Sequence, residues 1–230
     1  LSRIGMVTGA AWLDVNADRL PDLVVVGEWM PLTVFRNDRS SLSFQVSVPN
    51  SEGWWNCMTT ADLDGDGDLD LVAGNWGLNT PFTASPQRPL ELTLGDFDEN
   101  EATETLLSAY RSDGQSYPYH AKPDLMAQLP VLKKRFLHYG DYATQAVSGI
   151  LTPEQLKNAR QLKAECLESS VFWNEGGGRF VRQGLPDEAQ VSPTMAVTVR
   201  DLDGDGRSDV VLAGHFHGVK PELGRHDASY

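Results

Sequence analysis

The sequence predicts a mainly β protein, a partial β-propeller of about four blades carrying a short helical insertion. Three observations lead there. A nine-residue acidic loop recurs four times, and each copy runs into a short apolar, β-prone segment. The first two intervals between copies, 48 and 34 residues, have the length of a four-stranded blade or a similar β-repeat.

The loops are Asp14–Asp22, Asp62–Asp70, Asp96–Glu104 and Asp201–Asp209. Each carries oxygen side chains at positions 1, 3, 5 and 9: Asp14, Asn16, Asp18 and Asp22; Asp62, Asp64, Asp66 and Asp70; Asp96, Asp98, Asn100 and Glu104; Asp201, Asp203, Asp205 and Asp209. Position 7 (Leu20, Asp68, Ala102, Arg207) would add a backbone carbonyl. Unpaired, such clustered carboxylates repel one another. Hard oxygens at alternate positions suit a calcium ion, which takes 6–8 of them in flexible geometry. A polar turn is the plainer reading of any one loop, since Asp and Gly favour turns. Four copies in register favour metal, and up to four calcium ions are expected. EF-hand loops close on an acidic residue at position 12 and continue into helices. Here position 12 is Val25, Ala73, Leu107 or Leu212, so position 9 must close each loop.

The loops are followed by the β-prone runs Leu23–Val26, Leu71–Ala73, Thr105–Leu107 and Val210–Ala213. Between loops, Leu32–Arg36, Leu42–Val48, Trp54–Thr60 and Leu167–Trp173 read as strands, with turns at Asn37-Asp38 and Asn174–Phe180. The third interval, 105 residues, is too long for one repeat. Residues 111–160 are read as a helical insertion packed on the β scaffold. Within it, Pro123–Gln128, Pro130–His138 and Asp141–Ser148 have helical composition. Thr152-Pro153-Glu154-Gln155 is a capping-box start for a helix reaching about Arg160. The expected organisation is one continuous domain truncated at both ends: blades over 1–110, the insertion over 111–160, further blades over 161–230. The chain starts without methionine and is expected to be a piece of a longer protein.

A net charge of −13 argues against nucleic acid, which wants a basic footprint. No apolar run approaches the ~18 residues of a membrane span. Cys57 and Cys166 are too few for a disulfide framework and read as small buried hydrophobes.

Loops of the form Asp-x-Asp-x-Asp-Gly-x-x-Asp leading into a strand and then glycine resemble the FG-GAP/VCBS repeats of integrin-α-like β-propellers. Gly27-Glu28-Trp29-Met30-Pro31-Leu32, Gly53-Trp54-Trp55-Asn56, Gly74-Asn75-Trp76-Gly77-Leu78-Asn79, Gly214–Val219 and the Gln128-Leu129-Pro130 segment look like bacterial VCBS-repeat proteins. These are related to the ASPIC/UnbV-containing, cartilage-acidic-protein-like group. The resemblance implies a ring of six to eight blades, calcium in the hairpin loops, and an extracellular, cell-surface or periplasmic location with a role in adhesion or binding. Loops 14–22 and 96–104 depart from the pattern. Arg19 and Glu101 replace the position-6 glycine, and Asn16 and Asn100 leave three carboxylates each. Loops 62–70 and 201–209 are therefore expected to bind calcium tightly, and the other two weakly.

Other residues invite weaker readings. His215 and His217 share a strand face and with Glu222 or His226 can be imagined around a transition metal; ordinary blade-edge residues are the plainer account. The six tryptophans, Trp54, Trp55 and Trp76 above all, are either a sugar-stacking platform or blade-packing residues, and packing is preferred. Ser169 and Ser170 lack a nucleophile-elbow pattern. Lys133-Lys134-Arg135 reads as a solvated helix face. The favoured function is non-enzymatic: a module binding an unidentified protein or glycan, with calcium structural. The alternative is a polysaccharide lyase or hydrolase using His120, Lys122, His138 and Tyr139 near the insertion.

Overall fold

A computed structural model describes residues 4–218 and 228. The chain is mainly β and divides into two compact units, 1–83 with 164–230, and 84–163.

In the first unit, β1 (Met6–Leu13), β2 (Asp22–Met30), β3 (Thr33–Asn37) and β4 (Leu42–Ser47) form an antiparallel sheet in that order, with β5 (Gly53–Trp54) added against β2. A second sheet begins with β6 (Cys57–Ala61) and β7 (Asp70–Gly74). The chain then leaves for the second unit, which holds β8 (Leu90–Gly95), β9 (Glu104–Tyr110), β10 (Ser116–Pro118) and β11 (Arg160–Ala164) in the order β10-β9-β8-β11. Four short helices lie between β10 and β11: α1 (Lys122–Gln128), α2 (Tyr139–Ala143), α3 (Val147–Ile150) and α4 (Pro153–Asn158). The second sheet is completed on return by β12 (Ser170–Asn174), which pairs with β7, and β13 (Phe180–Gly184). β14 (Ala196–Arg200) and β15 (Asp209–Ala213) make a two-stranded antiparallel sheet. No sheet closes on itself among the described residues.

Sheet order moves the departure from the β repeat earlier than residue 111. Because β7 and β12 share a sheet, everything from 84 to 163 lies between two neighbouring strands, and loop 96–104 goes with it. The 34-residue interval between the second and third loops therefore links two different sheets. The segment 111–160 is also less helical than its composition suggests. It opens on β10, and Pro130 separates α1 from a 3-10 turn over Pro130–Lys134. α4 stops at Asn158, since Arg160 already starts β11. Its start is as read: Gln155 N donates to Thr152 Oγ1 at 3.2 Å, and Thr152 N to Gln155 Oε1 at 2.8 Å.

Each unit has its own core. Val24, Val26, Leu32, Val34, Trp55, Leu71, Phe172 and Phe180 cluster in the first. The β2 run is buried on both faces, as expected for a strand covered on either side. In the second, Phe97 and Leu106 pack with Leu125, Met126, Leu129, Leu132, Phe136 and Ile150, so the helices bury their apolar sides on the β8–β9 hairpin. Cys57 and Cys166 are free thiols, half-buried and buried respectively. Burial pushes Cys57 up and Cys166 up to about 12, so neither is a ready thiolate. No helix among the described residues is long and apolar enough to cross a membrane.

Candidate metal centres

All four acidic loops join antiparallel neighbours: β1–β2, β6–β7, β8–β9 and β14–β15. The register is the same each time. The residue before the loop faces position 9: Leu13 with Asp22, Ala61 with Asp70, Gly95 with Glu104, Arg200 with Asp209.

Inside the loops one hydrogen-bond scheme recurs. The position-2 N–H donates to the position-9 carboxylate: Val15 to Asp22 at 3.3 Å, Leu63 to Asp70 at 3.1 Å, Phe97 to Glu104 at 2.7 Å, Leu202 to Asp209 at 2.9 Å. The position-6 N–H donates to position 1: Arg19 to Asp14 at 2.6 Å, Gly67 to Asp62 at 3.1 Å, Glu101 to Asp96 at 2.9 Å, Gly206 to Asp201 at 3.0 Å. The position-7 N–H donates to position 5, as Leu20 does to Asp18 and Arg207 to Asp205. Backbone donors thus hold the side-chain oxygens around one centre.

The curl requires positive φ at positions 4 and 6 in every copy. Gly65, Gly67, Gly204 and Gly206 adopt it freely at φ 81, 94, 82 and 84. Ala17, Arg19, Glu99 and Glu101 adopt it at 60, 66, 61 and 67. The need for a left-handed residue at position 4 escaped the sequence reading, which identified position 6 alone.

Convergence differs between loops. Ligand oxygens lie within 4.8 Å of one another for Asp62, Asp64 and Asp66, for Asp96, Asp98 and Glu104, and for Asp201, Asp203 and Asp209. Each group is able to hold a metal ion. In the third loop, Asp98 Oδ1 is buried with no hydrogen-bond partner. A buried carboxylate oxygen without a donor is costly, and a cation is the partner such a donor set lacks. The first loop does not bring Asp14, Asp18 and Asp22 together in the same way. There the Asn16 amide donates to Asp22 Oδ2 at 3.2 Å, and the Arg36 guanidinium stands 3.6 Å from Asp18.

Position 9 is buried in three loops: Asp22, Asp70 and Glu104. Burial, with the charges of Asp64 and Asp66, pushes the Asp70 carboxyl up, against the N–H groups of Asn174 and Leu63. Asn37 and Asn174 make matching bonds that the sequence reading missed. Asn37 N donates to Asp22 Oδ1 at 2.8 Å and Asn174 N to Asp70 Oδ1 at 2.9 Å. Their amides donate to the position-8 carbonyls of Pro21 and Leu69, and their own carbonyls accept from Arg39 N and Gly176 N. The available signal was a second repeat, Val34-Phe35-Arg36-Asn37 against Val171-Phe172-Trp173-Asn174.

The remaining candidates separate. Trp55 is fully buried against Phe172, with its indole N–H on Ser51 O at 2.9 Å. Trp54 stacks on Trp76 and packs at a tilt against Trp29, ring centroids 4.5 and 4.8 Å away, so it is engaged with other tryptophans. Ser169 Oγ accepts from Asn75 N and bonds the Thr194 hydroxyl in a buried structural network. The rings of His215 and His217 are 6.0 Å apart; Glu222 and His226 lie outside the described residues. Lys122 and Tyr139 line one cleft, whereas the backbone of His138 opens α2 by donating to Asp141.

Residues 14–73 match the family model of an FG-GAP-like repeat. The matched stretch runs from the first acidic loop through the second and ends in β7. No curated protein matches the chain.

Proposed function

We propose that this chain is a calcium-binding module of β-propeller type in which the metal is structural, working in the extracellular or periplasmic recognition of a protein or carbohydrate. The observation that carries the reading is the single backbone-to-carboxylate scheme repeated in four hairpin loops, with three of them gathering carboxylates around one centre. The FG-GAP-like match over 14–73 supports it. Asp62, Asp64 and Asp66, Asp96, Asp98 and Glu104, and Asp201, Asp203 and Asp209 would hold the ions. Bound calcium supplies positive charge that offsets carboxylate repulsion and ties each hairpin shut, so binding free energy becomes folding free energy. Loop 96–104 joins loops 62–70 and 201–209 as a strong site on the unpartnered oxygen of Asp98. Loop 14–22 is the weakest, since an amide and a guanidinium already face its carboxylates.

Extracellular calcium modules have Kd on the order of 10⁻⁴–10⁻³ M, and each tenfold excess of ion over Kd adds ~1.4 kcal/mol per site. The test is thermal unfolding in millimolar calcium and in excess chelator, with calorimetric stoichiometry alongside. A melting temperature several degrees lower in chelator is expected. An identical melt in both conditions would overturn the reading.

A further inference from the structure

The second unit carries a recess that the acidic loops do not use. It has a volume of about 270 Å³ and is lined by Arg111, Tyr117, Lys122, Tyr139, Tyr142 and Gln145 among others. Four short pieces of chain bring these residues together: the β9–β10 turn, β10, the start of α1, and α2 with the residue two beyond it. Lys122 and Tyr139, two of the four residues named for the enzymatic alternative, meet here with an arginine and two more tyrosines.

The two cations are disposed unusually for a chain with 32 acidic and 19 basic residues. Neither Arg111 nor Lys122 forms an ion pair among the described residues. Arg111 lies over the Tyr117 ring, 4.0 Å from its centroid, and Lys122 Nζ is 5.2 Å from the Tyr139 centroid while donating to Leu137 O at 2.8 Å. Carboxylates stand nearby: the Gln115 N–H and the Tyr117 hydroxyl, helped by the Arg111 charge, lower Asp113, and Asp124 is close enough to act on Tyr142. Asp113 accepts the Tyr117 hydroxyl at 2.8 Å, and Asp141 accepts from His138 N. The Tyr142 hydroxyl is fixed on His120 O at 2.6 Å, which makes that ring a rigid wall. Tyr139, by contrast, is 66% exposed, with Lys122 Nζ over one face of its ring. Gln145 Nε2 is held by Asp141 O, leaving its carbonyl oxygen as an acceptor.

Two cations outside any ion pair among the described residues, a largely exposed tyrosine and a polar amide around a small recess suit a small anionic ligand with an apolar face. We propose that this recess binds a carboxylated sugar, a single uronate-type unit. Its carboxylate would be held by Arg111 and Lys122, its apolar ring face by Tyr139, and a hydroxyl by Gln145. The volume sits just below the ~300–1,000 Å³ typical of ligand pockets, which suits one ring. The chain's net charge of −13 disfavours extended polyanions such as nucleic acid. This site does not depend on the metal reading.

The test titrates the full chain, in calcium, with glucuronate, glucose and acetate, following binding by calorimetry or by NMR shifts. Saturable glucuronate binding is expected, with glucose and acetate each at least about tenfold weaker. Lys122→Gln, Arg111→Gln and Tyr139→Ala should each weaken glucuronate about tenfold while the melting temperature stays unchanged. The exposed ends of these side chains make misfolding avoidable, and the melt reports it. Absence of saturable glucuronate binding, acetate or glucose binding as tightly, or unchanged affinity in both charge variants would overturn the proposal.

Discussion

At the scale of single residues, the loops reveal a cost that composition only hinted at. Arg19 and Glu101 were suspect because glycine stands at their position in the sister loops, and both adopt positive φ. A left-handed L-residue costs roughly 1–2 kcal/mol, while glycine loses some 0.5–1 kcal/mol more on ordering. Arg19→Gly is therefore expected to stabilise the fold by ~0.5–1 kcal/mol, read from the urea midpoint; a loss of stability would contradict it. The middle and the closing residue of one loop should respond differently to truncation. Asp70→Ala strands the N–H groups of Leu63 and Asn174 in a buried position, a cost of ~2–4 kcal/mol even without metal. Asp66→Ala, at an exposed position, should cost little in chelator and abolish the calcium response of that loop. Equal losses for both variants in chelator would show that position 9 is not the structural anchor.

Elements come next. Hairpins β1–β2, β6–β7, β8–β9 and β14–β15 share one register because each loop fixes it twice, by curl and by the position-2 N–H on position 9. In two sheets the neighbouring strand adds an asparagine to the same carboxylate, so the loop also sets where β3 and β12 end. The turn after β3 carries a pH signature of its own. The Ser40 hydroxyl, then the N–H groups of Ser41 and Ser40 and the Ser41 hydroxyl, hold the Asp38 carboxyl at about 2. A depressed folded value means that this contribution is complete above the unfolded value of 3.8 and is lost as pH falls toward 2. Asp38→Asn should flatten that part of the acid-unfolding curve, and an unaltered curve would remove the turn from the account.

At the scale of the whole molecule, the chain interrupts its second sheet between β7 and β12 to build a second unit with its own core. The ends of that unit meet because β8 and β11 are neighbours in one sheet. Residues 84–163 expressed alone should consequently fold, giving dispersed amide signals and cooperative unfolding. A collapsed, poorly dispersed spectrum in calcium would show that the unit needs the rest of the chain. Small domains of this length are marginal, so its calcium dependence should exceed that of the intact chain.

Much was legible in the linear sequence because it is local. Oxygen side chains at alternate positions, glycines where the chain must curl, and β-branched runs behind them act within a few residues, so the loops, the strands after them and the Thr152 cap could be read in order. Burial of Trp55, Trp76 and Cys166 followed from apolar context, whereas Trp12 is exposed and Cys57 only half-buried. Pairing between distant strands could not be read, since any β-prone run can satisfy any other's backbone. Only the tertiary structure decided that β12 returns to β7, that loop 96–104 belongs with the helices, and that Asn37 and Asn174 complete two of the sites. It also decided which loops gather their oxygens and which cations of the insertion meet around one recess, because convergence in space depends on packing that no spacing encodes.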